Sequence, residues 1–241
     1  MIWFLAACSS PEPPVSVFVA SSLTEVFQDL AQRYESENPE ADLVLSFAGS
    51  QVLRLQIEQG APADLFVSAD LEHLRALEAE GRVARLQELA KNELVVVHPR
   101  ENPAQLHRFQ DLRRARRVVI GVSTSPIGRY TATLFQRAEK QLGRSFVTEL
   151  QDHVVSTESN VRLVRAKVEL GEADAAIIYR TDATARVGVV DIPPAIGVRT
   201  TTAIAEVVGS PHPQLAQDFK SFVCSEEGQQ VLQQHGLQVP N

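Results

Sequence analysis

Val15-Ser16-Val17-Phe18-Val19-Ala20 runs without a break into Ser21-Ser22-Leu23-Thr24-Glu25. The first six residues are rich in β-branched and aromatic side chains and predict a strand. From Leu23 the period changes. Leu23, Val26, Phe27, Leu30, Ala31 and Tyr34 fall at i, i+3, i+4, i+7, i+8 and i+11, one apolar stripe of a helix. Ser22-Leu23-Thr24-Glu25 predicts a capping box at its start, and Asn38-Pro39 its end. A strand that becomes a helix at once leaves backbone N–H groups free at the helix start, where the helix dipole is positive. Such a terminus is a ready site for an anion.

Three more junctions follow the same plan: Ala48-Gly49-Ser50-Gln51, Ser123-Thr124-Ser125-Pro126 and Ser156-Thr157-Glu158-Ser159-Asn160. Around them, residues 43–47, 63–68, 117–122 and 175–179 read as strands. Residues 51–59, 70–80, 126–142 and 161–170 read as helices, the last three stopped by Gly81, Gly143 and Gly171. Residues 93–99 form a strand closed by Pro99, residues 197–207 are extended, and the chain finishes in a helix through Leu215, Phe219, Phe222 and Val223. Strand–helix alternation at this rhythm predicts an α/β fold with parallel sheets covered on both faces. Two junctions fall in each half of the chain, which suggests a cleft closing on a small anion.

The bulk numbers agree. The chain has 241 residues, 44% of them hydrophobic and 22% charged, enough for two small domains with real cores. A net charge of −7 argues against nucleic acid, which wants a basic face. It does not argue against a small anion, because local dipoles govern a desolvated pocket. The basic cluster Arg113-Arg114-Ala115-Arg116-Arg117 reads as a solvated loop.

Cys8 closes the apolar leader Met1-Ile2-Trp3-Phe4-Leu5-Ala6-Ala7, which resembles a bacterial lipoprotein signal despite its shortness and its missing basic start. The expectation is a lipid on Cys8, residues 9–14 as a Pro-stiffened tether, and a location at the cell envelope. Membrane contact is then by the anchor alone. Cys224, left without a partner, is expected as a buried thiol.

The junctions name their own candidate donors. Ser22 and Ser50 are read as N-caps whose hydroxyl protons remain free to donate. With Ser125 as cap, Pro126 takes the first helical position and the N–H groups of Ile127 and Gly128 point forward. Asn160 or Ser159 caps the next helix and leaves the N–H of Val161 free. Tyr179 ends a buried strand on the edge where open α/β sheets hold ligands. All of these donors are neutral. A set with donors only suits an oxyanion without a proton, such as molybdate, tungstate or sulfate; hydrogen phosphate would need an acceptor.

At these residues the chain resembles the periplasmic molybdate-binding proteins of ABC importers. Residues 20–24, 46–50, 126–130, 160–162 and 177–179 match the ligand segments in the family's order, and Gly60-Ala61-Pro62-Ala63-Asp64-Leu65-Phe66-Val67-Ser68-Ala69-Asp70 is the most family-like run. The resemblance covers residue 15 to the C-terminus. It implies the two-lobed type II binding-protein fold, each lobe a mostly parallel sheet flanked by helices. The lobes would be residues 15–92 plus 205–241 and residues 93–204, hinged by two strands. It implies oxyanion contacts from Ser22 and Ser50, from the backbone of Ile127 and Val161, and from the Tyr179 hydroxyl. It also implies no catalytic role, no cofactor, molybdate or tungstate as ligand, a membrane permease as partner, and a monomer. Gly49 stands where the family commonly has serine, and Ile127 is bulkier than the usual residue there.

Three rivals have weaker support. Gly121-Val122-Ser123-Thr124-Ser125 lacks the last glycine of a serine-hydrolase elbow, and His98, His107, His153, His212 and His235 show no pairing that points to a base. Ferric-ion binding on a similar fold uses paired tyrosines, whereas Tyr34, Tyr130 and Tyr179 are scattered in the sequence. An effector domain of a regulator conflicts with a leader ending in Cys8.

Overall fold

The computed structural model describes residues 14–240. Cys8 and almost all of the expected tether lie outside the described residues. The first half begins with the expected β1 (Val15–Ala20), but a single 3-10 turn (Ser21–Leu23) comes before α1 (Thr24–Glu37). β2 (Leu43–Ala48), α2 (Ser50–Glu58), β3 (Leu65–Ser68) and α3 (Leu71–Ala79) follow. β1 pairs in parallel with β2 on one side and β3 on the other. Both faces of β1 are buried: Val17 and Val19 face one core with Phe27, Leu30 and Phe219, and Phe18 faces a second with Leu53, Phe66 and Leu74. That two-sided burial is why the strand reads as a continuous apolar run rather than an alternating one.

The second half repeats this order. β5 (Val118–Gly121) sits between β6 (Val154–Glu158) and β7 (Ala175–Tyr179), again in parallel. α4 (Pro126–Leu142), α5 (Arg144–Asp152) and α6 (Val161–Glu169) fill the crossovers. α5 was not expected; it starts immediately beyond Gly143, whose φ of 90° ends α4.

Two long strands join the halves. β4 (Val83–Pro99) pairs with β9 (Arg199–Val207) over Val83 to Glu93, then leaves it to pair with β7 and with β8 (Val187–Asp191). β9 in turn borders β3. The strand order is therefore β2-β1-β3-β9-β4-β7-β5-β6. The sequence pattern predicts only residues 93–99 of β4. Its first part is polar and interrupted by bulges between Ala84 and Gln87 and between Glu88 and Ala90, which spoil the period of two. α7 (Pro213–Cys224) and α8 (Glu226–Gln234) return to pack on α1. Cys224 is a free thiol and only half buried, not enclosed as expected. Among the described residues no helix is long and apolar enough to cross a membrane.

Candidate functional site

Every parallel strand that feeds a helix does so at one end of its sheet, so the junctions of both halves meet. One small cavity lies between them. It is lined by residues 20–22, 48–51 and 69 of the first half and 125–127, 159–161 and 179 of the second. Its volume is ≈ 20 Å³, where by the same measure one water needs about 10–15 Å³. The lining holds no charged side chain. Ser22, Ser50, Ile127, Val161 and Tyr179, singled out from five places in the sequence, all stand on this one cavity.

The local chemistry differs from expectation at three of the junctions. The capping box at Ser22 does not form. The chain enters α1 through the 3-10 turn, Leu23 takes the cap position, and the Ser22 side chain caps nothing. Glu25 instead forms a fork with Arg162 of α6, at 2.8 and 2.9 Å, and that hydrogen bond holds its carboxyl below the usual range. Ser50 is the first residue of α2, with Gly49 as cap. The buried Ser50 Oγ accepts the Ala69 N–H at 3.2 Å. One hydroxyl lone pair is thereby used and its proton stays free. At the third junction Ser125 caps α4 by accepting the Gly128 N–H at 3.2 Å. Gly128 is thus not a free donor, and the N–H of Ile127 is the one left over beyond Pro126. At the fourth, Asn160 accepts the N–H groups of Arg162 and Leu163 and leaves that of Val161.

Tyr179 completes the set. Its side chain is 3% exposed and its hydroxyl has no hydrogen-bond partner. Burial, reinforced by the neighbouring Tyr130 and Asp70, pushes its pKa well above the ordinary phenol value. The group therefore keeps its proton and can only be used as a donor toward an anion. The fold brings Tyr130 edge-on to Tyr179 with ring centres 6.4 Å apart, although they are far apart in sequence. This is not a tyrosinate pair. The Tyr130 oxygen accepts the Thr201 N–H at 3.3 Å, and burial raises its pKa to about 12.

Charge is kept to the perimeter, where sequence reasoning missed it. Arg129 of α4 reaches across to Asp70 and to Glu72 (3.0 Å) of the first half, as Arg162 reaches Glu25. Arg129 and Arg162 lie inside the ligand segments 126–130 and 160–162, just beyond Ile127 and Val161. Only helical spacing from the junctions could have hinted that they face the other lobe. Ser125 Oγ, the nearest thing to a nucleophile here, donates to the Val122 carbonyl at 2.8 Å. No histidine is among its partners. Among the described residues no group of three or more His, Cys, Asp or Glu side chains is arranged to hold a metal ion.

Asp182 lies three residues beyond Tyr179. It is 4% exposed and its Oδ2 has no partner. Burial raises its pKa to about 8, against a partial pull down from Arg165 and Arg162. An unfolded aspartate titrates near 3.9. Between those values the folded chain holds one proton more than the unfolded chain, so this group makes stability fall as pH rises from about 4 to about 8. Asp182→Asn is expected to match the parent in melting temperature near pH 4 and to exceed it increasingly toward pH 8. A constant difference across that range would show that the carboxyl is charged in the fold.

Two crossing strands, paired half-sheets and helix starts converging on a shared cavity define a two-lobed binding protein. The chain belongs to the bacterial extracellular solute-binding protein family, whose model matches residues 15–238. It is 32% identical to the molybdate-binding protein ModA of Mycobacterium bovis, covering 98% of this chain and 93% of that one. Its fold is similar to the periplasmic molybdate-binding protein of Azotobacter vinelandii (TM-score 0.81, 17% identity, 94% and 100% of the two chains). It is also similar in fold to the sulfate-binding protein SubI of Mycobacterium tuberculosis (TM-score 0.84, 18% identity, 95% and 88%).

Proposed function

We propose that this protein captures molybdate outside the cytoplasm and delivers it to the membrane permease of an ABC importer. The observation that carries the reading is the Tyr179 hydroxyl: a protonated donor, buried without a partner, on an uncharged cavity. A bound oxyanion supplies the acceptor that the rest of the chain does not offer this hydroxyl. Ser22 and Ser50 add hydroxyl donors, and Ile127 and Val161 add backbone N–H groups at two helix starts with favourable dipoles. Fold similarity alone serves sulfate as well as molybdate. The near full-length identity to a molybdate-binding relative favours molybdate, with tungstate as its nearest chemical substitute.

In this reading the lobes are residues 15–92 plus 205–241 and residues 93–204, and β4 and β9 are the hinge. Closure buries the ion and presents a combined surface to the permease. The chain acts as a monomer, tied to the membrane by lipid on Cys8, and carries no reaction of its own.

The test is a melting scan with molybdate, tungstate, sulfate and phosphate. At ligand 100 times the dissociation constant, binding adds about 2.7 kcal/mol, or roughly 5–11 °C for a chain of this size. A shift with molybdate is the expected result. No shift with any of the four ions removes the reading. A shift with phosphate alone replaces molybdate by a protonated anion and requires an acceptor in the cavity.

A further inference from the structure

Gln51 is the lining residue that the donor set leaves unexplained. It is the second residue of α2, and its Nε2 donates to the Ser159 carbonyl at 2.6 Å. Ser159 directly precedes Asn160, the cap of α6. This bond therefore ties a helix start of one lobe to a helix start of the other, on the wall of the cavity itself. Because Nε2 must face a carbonyl, the amide orientation is fixed by its partner. Its Oε1 is buried with no partner, a penalty that the Nε2 bond offsets.

The amide has room only because residue 49 is glycine. A Cβ on Gly49 would stand 2.7 Å from Gln51 Oε1, 2.8 Å from Gln51 Nε2 and 2.7 Å from the Ser159 carbonyl oxygen. The Gly49 φ of −64° is open to any residue, so space rather than backbone freedom is what demands glycine. The bond also removes an electrostatic fault. A carbonyl oxygen on the wall of a pocket for a dianion repels the guest, and the Gln51 N–H occupies that oxygen.

We propose that Gln51, seated on Gly49, is a clasp that forms when the lobes close and holds the oxyanion in. The clasp rests on the oxyanion reading given above. It makes Gln51 a positioning residue that acts on retention rather than capture. Encounter with the open form does not involve a bond that exists only when closed, so the association rate should be unchanged and release should be faster.

The experiment measures association and release of molybdate by rapid filtration, release being started by dilution, for the parent, Gln51→Ala, Gln51→Met and Gly49→Ala. Loss of one net hydrogen bond predicts release about five times faster. Both Gln51 variants should show it, with association within about twofold of the parent, since methionine keeps the bulk and loses the donor. Gly49→Ala should release faster too, because it displaces the amide. The empty Gln51 variants should melt with the parent, because Gln51 is not the cap of α2. Release at the parental rate from both Gln51 variants overturns the clasp while leaving the oxyanion reading intact. Parental release from Gln51→Met alone also overturns it, by assigning the effect to bulk. A parent that binds no molybdate overturns both.

Discussion

Tyr179→Phe is expected to weaken molybdate binding by about 10- to 150-fold and to leave the empty protein at least as stable as before. The first figure is the worth of a hydrogen bond to a charged partner, about 1.5–3 kcal/mol. The second follows from the state of the hydroxyl. It is buried and makes no hydrogen bond to another group of the chain, so no protein contact depends on it. Phenylalanine keeps the ring, and with it the edge-on packing against Tyr130. Affinity thus falls while stability does not, a combination that a general loss of structure cannot imitate. Titration calorimetry with molybdate and a melting curve without it are sufficient. Parallel losses of affinity and stability, or unchanged affinity, would remove Tyr179 from the binding set. Because the phenol pKa lies well above neutrality, affinity of the parent should not respond to this group between pH 6 and 9.

Much of this site was legible because helix starts leave local marks. At Ser125-Pro126 the cap and the first-turn proline are both written in the sequence, and the structure places them there. At the fourth junction the sequence offers Asn160 or Ser159 as cap, and Asn160 takes that place. The errors share one physical cause: a local rule was overridden by a partner from the other lobe or from a distant strand. Ser22 and Glu25 satisfy the spacing of a capping box, but Arg162 offers Glu25 a charged partner, and the chain enters α1 through a 3-10 turn. Ser50 seemed to be the cap, whereas Gly49 has the extended backbone of a cap and Ser50 instead receives the Ala69 N–H from the end of β3. The polar first part of β4 has no apolar period to detect, because β9 and a bulge pattern define it. Gln51 was invisible as a clasp for the same reason, since its partner lies 108 residues away.

The arrangement also explains how a chain of net charge −7 can hold a dianion. No acidic side chain lines the cavity. The nearby carboxylates Asp70, Glu72 and Glu25 are each paired with an arginine from the opposite lobe. Two arginines, Arg129 and Arg162, thus offset most of the charge of these three carboxylates while the guest meets only dipoles and hydroxyl protons. In the interior those dipoles act at low dielectric and need not reorganise, which makes uncharged donors sufficient.

Gly128→Ala is expected to cost about 3 kcal/mol or more and to abolish binding. A Cβ there would lie 1.9 Å from the Val122 carbonyl oxygen, 2.6 Å from its carbon and 2.7 Å from the Gly121 carbonyl oxygen. All three are backbone atoms, so no side chain can rotate away, and the first turn of α4 must move off the end of β5. Overpacking of this kind typically costs 1–3 kcal/mol and more where the obstacle is rigid. For a chain of this length that lowers the melting temperature by roughly 6–12 °C. The same movement carries the Ile127 N–H out of the cavity, so affinity falls with stability. Gly209→Ala separates this clash from ordinary backbone strain. Gly209 has a φ of 83° but nothing within 4 Å of an added Cβ. It lies away from the cavity, and its alanine variant should lose only about 1–2 kcal/mol with molybdate affinity unchanged. If Gly128→Ala instead melts and binds like the parent, α4 is not held by that close approach, and Ile127 is not positioned by it.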